Sequence, residues 1–282
     1  MRLPAARHLL PVLASVLLLT RCSCDIFGVA GSLFISEADE VQLGTEFNAQ
    51  LTSSDSARQA YPIFAPKNAD DSAFQNYVEG LAQEVLAAVP AEERPGYPFK
   101  FTLIDQDVEN AFAVPGGFVY IYTGIIKKMQ NESELAGVLG HEIAHVTHHH
   151  YRDAMAKQAG LSLLVQALVG DNSGQITQLV ASSLFTLASL GVSKANESEA
   201  DYYGTRYLGN TDRNPLGIAT FFDRFNDDSF DWFSTHPAPA TRVEDVKEEV
   251  NASPTLKALA EEAPANNYEA RFLEKTKAVR GG

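Results

Sequence analysis

The segment richest in chemistry is Gly140-His141-Glu142-Ile143-Ala144-His145. Two histidines four positions apart on a helix present their imidazoles on one face, one turn apart, which suits a shared tetrahedral zinc ion. The glutamate beside the first histidine then reaches a water polarised by the metal and can take its proton. A third ligand is offered by Asn196-Glu197-Ser198-Glu199-Ala200-Asp201. Glu197 and Asp201 share a helix face, so Glu197 can complete a two-histidine, one-glutamate set with one position left open. Asp201 can accept a hydrogen bond from the far nitrogen of a ligand histidine and fix its tautomer. Glu199 points about 200° away round the helix and reads as a surface salt-bridge group, with a ligand role as the alternative. His148, His149 and His150 continue the helix of His145. His148 lies near the metal face, either as a fourth ligand or as a cationic helix end favoured by the dipole.

Other zinc classes do not match the string. A third histidine ten residues after the first is missing, because that position is Tyr151. The only cysteines are Cys22 and Cys24, so the body has neither a cysteine ligand nor a disulfide framework. An endopeptidase of gluzincin type remains.

The elements that must position these groups follow from periodicity. Residues 36–60 read as a solvated helix with Val41, Leu43 and Phe47 as its apolar stripe. Ala73 to Ala88 has helical period through Phe74, Tyr77, Val78, Leu81, Val85 and Leu86. Residues 99–104 and 118–122 read as strands, the second introduced by the turn Pro115-Gly116-Gly117. The second strand is either a sheet edge beside the cleft or a core strand. Glu132 to about Lys157 reads as one long helix. Two apolar helices near 161–169 and 176–190 form a buried pair or a plug. Further helices are expected near 195–208, 215–226 and from 239. The fold class is therefore α+β, mainly helical, with a small sheet beside the helix carrying His141.

Composition bounds the partners. The 282 residues include 36 acidic and 22 basic ones, a net charge of −14. Such a chain repels phosphate backbones, which argues against nucleic acid as a partner. Arg2 and Arg7 precede an apolar run from Leu9 to Leu19, too short for the ~20 helical residues that span a bilayer. This pattern reads as a secretory leader. Leu19-Thr20-Arg21-Cys22 resembles a lipoprotein box, with Arg21 as the departure. The expected organisation is a lipoprotein-type leader over 1–21 with a lipid anchor at Cys22, a linker over 22–35, a peptidase domain over 36–250 and a helical tail over 251–282. Anchoring at Cys24, or ordinary cleavage after Ala30, is the alternative.

The chain resembles the gluzincin peptidases that include the CAAX prenyl proteases, the mitochondrial Oma-type proteases and the bacterial periplasmic proteases that assist outer-membrane barrel assembly. The resemblance runs from about residue 36 to 250. Its marks are Glu40-Val41-Gln42-Leu43-Gly44, Asn110-Ala111-Phe112 leading to Pro115-Gly116-Gly117, the 141–150 run, Ser193 to Asp201, and Ser234-Thr235-His236-Pro237 with Arg242. It implies that His141, His145 and Glu197 bind one zinc ion, that Glu142 is the base, and that Asp201, His236 and Arg242 support the ligands or the transition state. Lys194 and His149 depart from the basic residues usual in the family. The implied activity is zinc-dependent hydrolysis of peptide bonds in unfolded or misassembled envelope proteins, in the periplasm. The alternative from another class is a latent, zinc-stabilised, chaperone-like binding protein. His236 would donate to the oxyanion, or close onto the open metal position.

Overall fold

The computed structural model describes residues 36–53, 55–152, 154, 192–225, 231–236 and 241–280. The expected leader, Cys22, Cys24 and the apolar pair at 161–190 lie outside these residues. No helix among the described residues is long and apolar enough to cross a membrane.

The described residues begin with α1 (Glu37–Ser53) and α2 (Asp55–Ala60), then α3 (Ala69–Ala87). Strands β1 (Lys100–Ile104), β2 (Ala111–Val114) and β3 (Phe118–Tyr122) follow. After them come α4 (Thr123–Lys128) and α5 (Glu132–Thr147). The remaining elements are α6 (Lys194–Leu208), α7 (Gly217–Phe222), α8 (Trp232–Thr235), α9 (Arg242–Ala252), α10 (Pro254–Ala260) and α11 (Glu269–Arg280). The architecture is the expected α+β one: helices around a three-stranded sheet of order β1-β3-β2.

The strand at 118–122 is the centre of the sheet. It pairs in parallel with β1 (Phe101↔Val119) and antiparallel with β2 (Phe112↔Tyr120). Its pattern is apolar throughout because both faces are covered. Phe118, Tyr120 and Tyr122 face α1 with Phe47 and Leu51, while Val119 and Ile121 join the main core with Val78, Val85, Leu139 and Ile143. Phe47 sits edge-on to Tyr120 and Phe112. The buried side of α1 is Glu40, Gly44, Phe47 and Leu51, with Val41 and Leu43 flanking it. β2 is a strand not read from the sequence. It has four residues, all buried, so it shows no alternation. The turn joining β2 to β3 needs glycine: Gly116 has φ +81°, and a Cβ there would lie 2.6 Å from the Glu40 carbonyl oxygen.

The helix that carries the histidines begins at a side-chain cap. Asn131 accepts from the Glu134 backbone N–H at 3.1 Å, and its own amide donates to the Glu134 carboxylate at 3.1 Å. Such a cap contributes about 1 kcal/mol. A second clamp comes from two arginines later in the sequence: Glu132, at the first turn of α5, accepts from Arg213 at 2.8 Å and from Arg271 of α11 at 2.7 Å. Phe272 beside it is fully buried, which is worth ~1.5–3 kcal/mol. The tail after residue 250 thus packs against the frame that holds α5.

The one long helix expected from Glu132 to Lys157 is interrupted. α5 stops at Thr147, and His149 takes a left-handed conformation with φ 54° before helical geometry resumes at His150. A non-glycine residue there costs roughly 1–2 kcal/mol. The compensation is local. The His149 ring lies within 3.1 Å of the buried Glu40 carboxylate, 3.2 Å of the Tyr97 hydroxyl and 3.1 Å of the Arg152 guanidinium.

Candidate metal centre

α5 and α6 cross at very close range. A Cβ on Gly204 would lie 2.8 Å from the His141 backbone nitrogen and 2.9 Å from the Gly140 carbonyl carbon. That approach brings the acidic turn of α6 against the histidine face of α5. α6 starts where Ser193 caps it, accepting from the Asn196 N–H at 3.2 Å.

Four side chains converge at the crossing: His141, His145, Glu197 and His236, all buried, with one donor atom from each lying within 4.8 Å of the others. His141 Nε2 is 3.0 Å from His145 Nε2 and 3.4 Å from Glu197 Oε2; His145 Nε2 is 3.4 Å from Glu197 Oε1. His236 Nδ1 lies 3.2 Å from Glu197 Oε1 and 3.4 Å from His141 Nε2. Ligand atoms ~2.0–2.1 Å from a tetrahedral zinc ion are about 3.3–3.4 Å apart. Imidazole nitrogens and a carboxylate at these separations form a donor set that a small divalent cation fits. Both Glu142 oxygens and Glu197 Oε2 are buried with no close hydrogen-bond partner among the described residues, imidazole nitrogens lying 3.4 Å from Glu142 Oε1 and Glu197 Oε2, a costly arrangement unless a cation or a water completes it.

Burial and neighbouring charges set the protonation of each group. Burial and Arg242 oppose a proton on His141, yet the hydrogen bonds of Asp201 and Glu197 outweigh them and hold its pKa up at about 9. Burial, helped by a charged His141, pushes His145 well below the usual histidine range. Glu197 would be raised by burial, but His236, His145 and His141 draw it well below the ordinary carboxylate value. Glu142 is the opposite case: burial raises it, so it holds a proton more readily than an exposed glutamate.

The supporting groups are equally fixed. Asp201 Oδ1 lies 2.9 Å from His141 Nδ1, on the far side of that ring. Arg242 grips Asp201 through Nη2–Oδ1 at 2.7 Å and Nε–Oδ2 at 2.6 Å, and its guanidinium lies 4.1 Å over the Phe222 ring. His236 stacks on Trp232 at 4.1 Å, and its Nε2 lies 3.2 Å from the Ala111 carbonyl oxygen and 3.4 Å from Glu142 Oε1. Seven of the residues singled out from the sequence therefore meet in one place: His141, Glu142, His145, Glu197, Asp201, His236 and Arg242.

His148 does not join them. It caps α5, stacks on Tyr203 at 3.6 Å and lies 3.2 Å from the Tyr207 hydroxyl. Glu199 is half-exposed and faces His148 and His150 on the opposite side of His145. The sequence reading missed Trp232, whose only signal was its position four residues before His236. It also missed the β2 backbone as a wall of the site, since a buried four-residue strand has no periodic signature.

Residues 72–250 match peptidase family M48, and the chain belongs to that family. It is 27% identical over 253 residues to the beta-barrel assembly-enhancing protease of Escherichia coli K12, covering 79% of this chain and 46% of that protein. It is 30% identical over 180 residues to the mitochondrial metalloendopeptidase OMA1 of Schizosaccharomyces pombe, covering 61% of this chain and 52% of the relative. The chain thus spans about half the length of these two relatives. It is also 27% identical to the metalloprotease LoiP of Escherichia coli K12, over 87% of this chain and 97% of LoiP.

Proposed function

We propose that this chain is a zinc-dependent endopeptidase of the bacterial cell envelope, acting on unfolded or misassembled polypeptides. The observation that carries this reading is the convergence of His141, His145 and Glu197 at tetrahedral ligand spacing with Glu142 buried beside them. In this reading those three residues hold one zinc ion. Zinc supplies Lewis acidity there: it polarises the scissile carbonyl and makes water nucleophilic near neutral pH. Glu142 takes the proton of the attacking water and passes it to the leaving amine, a transfer its raised pKa favours. Asp201 holds the proton on His141 Nδ1, which turns Nε2 toward the donor set, and Arg242 neutralises Asp201. Export to the periplasm and lipid anchoring at Cys22 belong to the same reading. The names of two Escherichia coli relatives, a beta-barrel assembly-enhancing protease and a metalloprotease, support its coarser part.

The test is cleavage of unfolded casein by the purified chain. Zinc-dependent cleavage, lost with a chelator and restored by zinc, is expected. Binding of casein without cleavage by the metal-loaded protein would favour the latent chaperone-like reading.

One observation favours a closed resting state. With Nδ1 among the donor atoms and Nε2 at the Ala111 carbonyl, His236 occupies the position that a two-histidine, one-glutamate set would leave open. The ring must withdraw before substrate enters. His236→Ala should then keep zinc and fold and cleave casein faster than the wild type. A rate reduced roughly 10²–10³-fold would instead assign His236 to oxyanion stabilisation.

A further inference from the structure

We infer that His150, backed by Glu199, is a positioning residue for His145; the inference rests on the reading of His145 as a metal ligand. The Nε2 atom of His145 faces His141 and Glu197. Its other nitrogen, Nδ1, points away from the donor set and lies 2.8 Å from His150 Nδ1. With the Nε2 lone pair turned inward, His145 Nδ1 carries the proton and donates it. His150 Nδ1 must then be the unprotonated acceptor, which places the His150 proton on Nε2. That atom is buried, lacks any closer partner among the described residues, and faces Glu199 Oε2 at 3.5 Å. The two histidines of α5 therefore have separate supports. His141 rests directly on a carboxylate, Asp201, whose charge Arg242 offsets. His145 rests on an imidazole, with its carboxylate one step further out.

The broken helix is what makes this possible. On a continuous helix His150 would point about 140° away from His145. The left-handed turn at His149 folds the chain back, so that the His145 and His150 rings meet edge-on with centroids 4.9 Å apart. Glu40, Tyr97 and Arg152 gather on the His149 ring and secure that turn. α1 thus reaches the metal centre indirectly, through the geometry of one residue.

The loss of a partner behind a ligand histidine typically weakens metal binding about 10–100-fold. The test is the zinc dissociation constant of the full chain, measured by competition with a chromophoric chelator, alongside circular dichroism of the zinc-free protein. His150→Ala is expected to weaken zinc binding by about 10–100-fold with unchanged apo-protein structure. His150→Asn, whose Oδ1 stands where Nδ1 stood, is expected to restore most of the affinity. Glu199→Ala, at a half-exposed position that does not threaten folding, should weaken binding in the same direction by a smaller factor. Wild-type affinity in both His150→Ala and Glu199→Ala would overturn the inference. Equal weakening in His150→Ala and His150→Asn would also overturn it, because packing rather than the acceptor would then be responsible. The underlying metal reading fails separately: a wild-type chain that binds no zinc, or a His145→Ala variant that binds it as tightly, would refute that reading instead.

Discussion

Replacing Glu142 by glutamine is expected to abolish peptide hydrolysis while leaving zinc content and fold at wild-type levels. The substitution keeps the volume of a fully buried side chain, so α5 and its crossing with α6 are undisturbed. What it removes is the ability to accept a proton. Among the described residues neither Glu142 oxygen has a close side-chain hydrogen-bond partner, and burial raises its pKa, which suits a group that must take up a proton. A general base of this kind accounts for roughly 10²–10⁴-fold in rate. The readout is kcat on a fluorogenic unfolded substrate, with zinc measured by atomic emission on the same samples. Activity within a few-fold of the wild type would show that another group takes the proton.

The second large effect is expected at the ligands. His141→Ala and Glu197→Ala should lose both zinc and activity. Glu197 is the only carboxylate among the four converging side chains, and the three histidine rings and Arg242 surround it. Removing it also leaves Arg242 with less compensation, and breaking a buried ion pair costs about 3–5 kcal/mol. Glu197→Gln keeps the shape and should lose zinc with less damage to the fold. Metal content of folded, monodisperse samples is the deciding quantity. Full zinc occupancy in Glu197→Ala would leave Glu199 as the candidate third ligand, contrary to its position on the far side of His145.

The site was legible to the extent that its groups lie on regular helices. Four-residue spacing fixed the faces of His141/His145 and of Glu197/Asp201, and the long helix of each pair was read correctly up to its end. His236 and Arg242 came from a family resemblance rather than from periodicity, because one lies at the end of a four-residue helix and the other at the start of α9. The helix break was not legible. Nothing in His148-His149-His150 resembles a terminator such as glycine. The left-handed turn depends on Glu40, 109 residues away in sequence, meeting the His149 ring. With that turn unseen, His150 and Glu199 looked like surface groups. β2 stayed hidden for a different reason: a short strand buried on both faces has the same composition as a loop packed in a core. The central place of β3 follows from covering both faces of Phe118-Val119-Tyr120-Ile121-Tyr122, a pattern the sequence displays but does not assign to an edge or a centre.

Whether one zinc ion is held by His141, His145 and Glu197 is decided by anomalous diffraction at the zinc absorption edge, on crystals of the purified chain. A single strong peak bonded to His141 Nε2, His145 Nε2 and a Glu197 carboxylate oxygen is expected. A peak ligated by Glu199, or zinc bound at full occupancy elsewhere with this cluster empty, would contradict it.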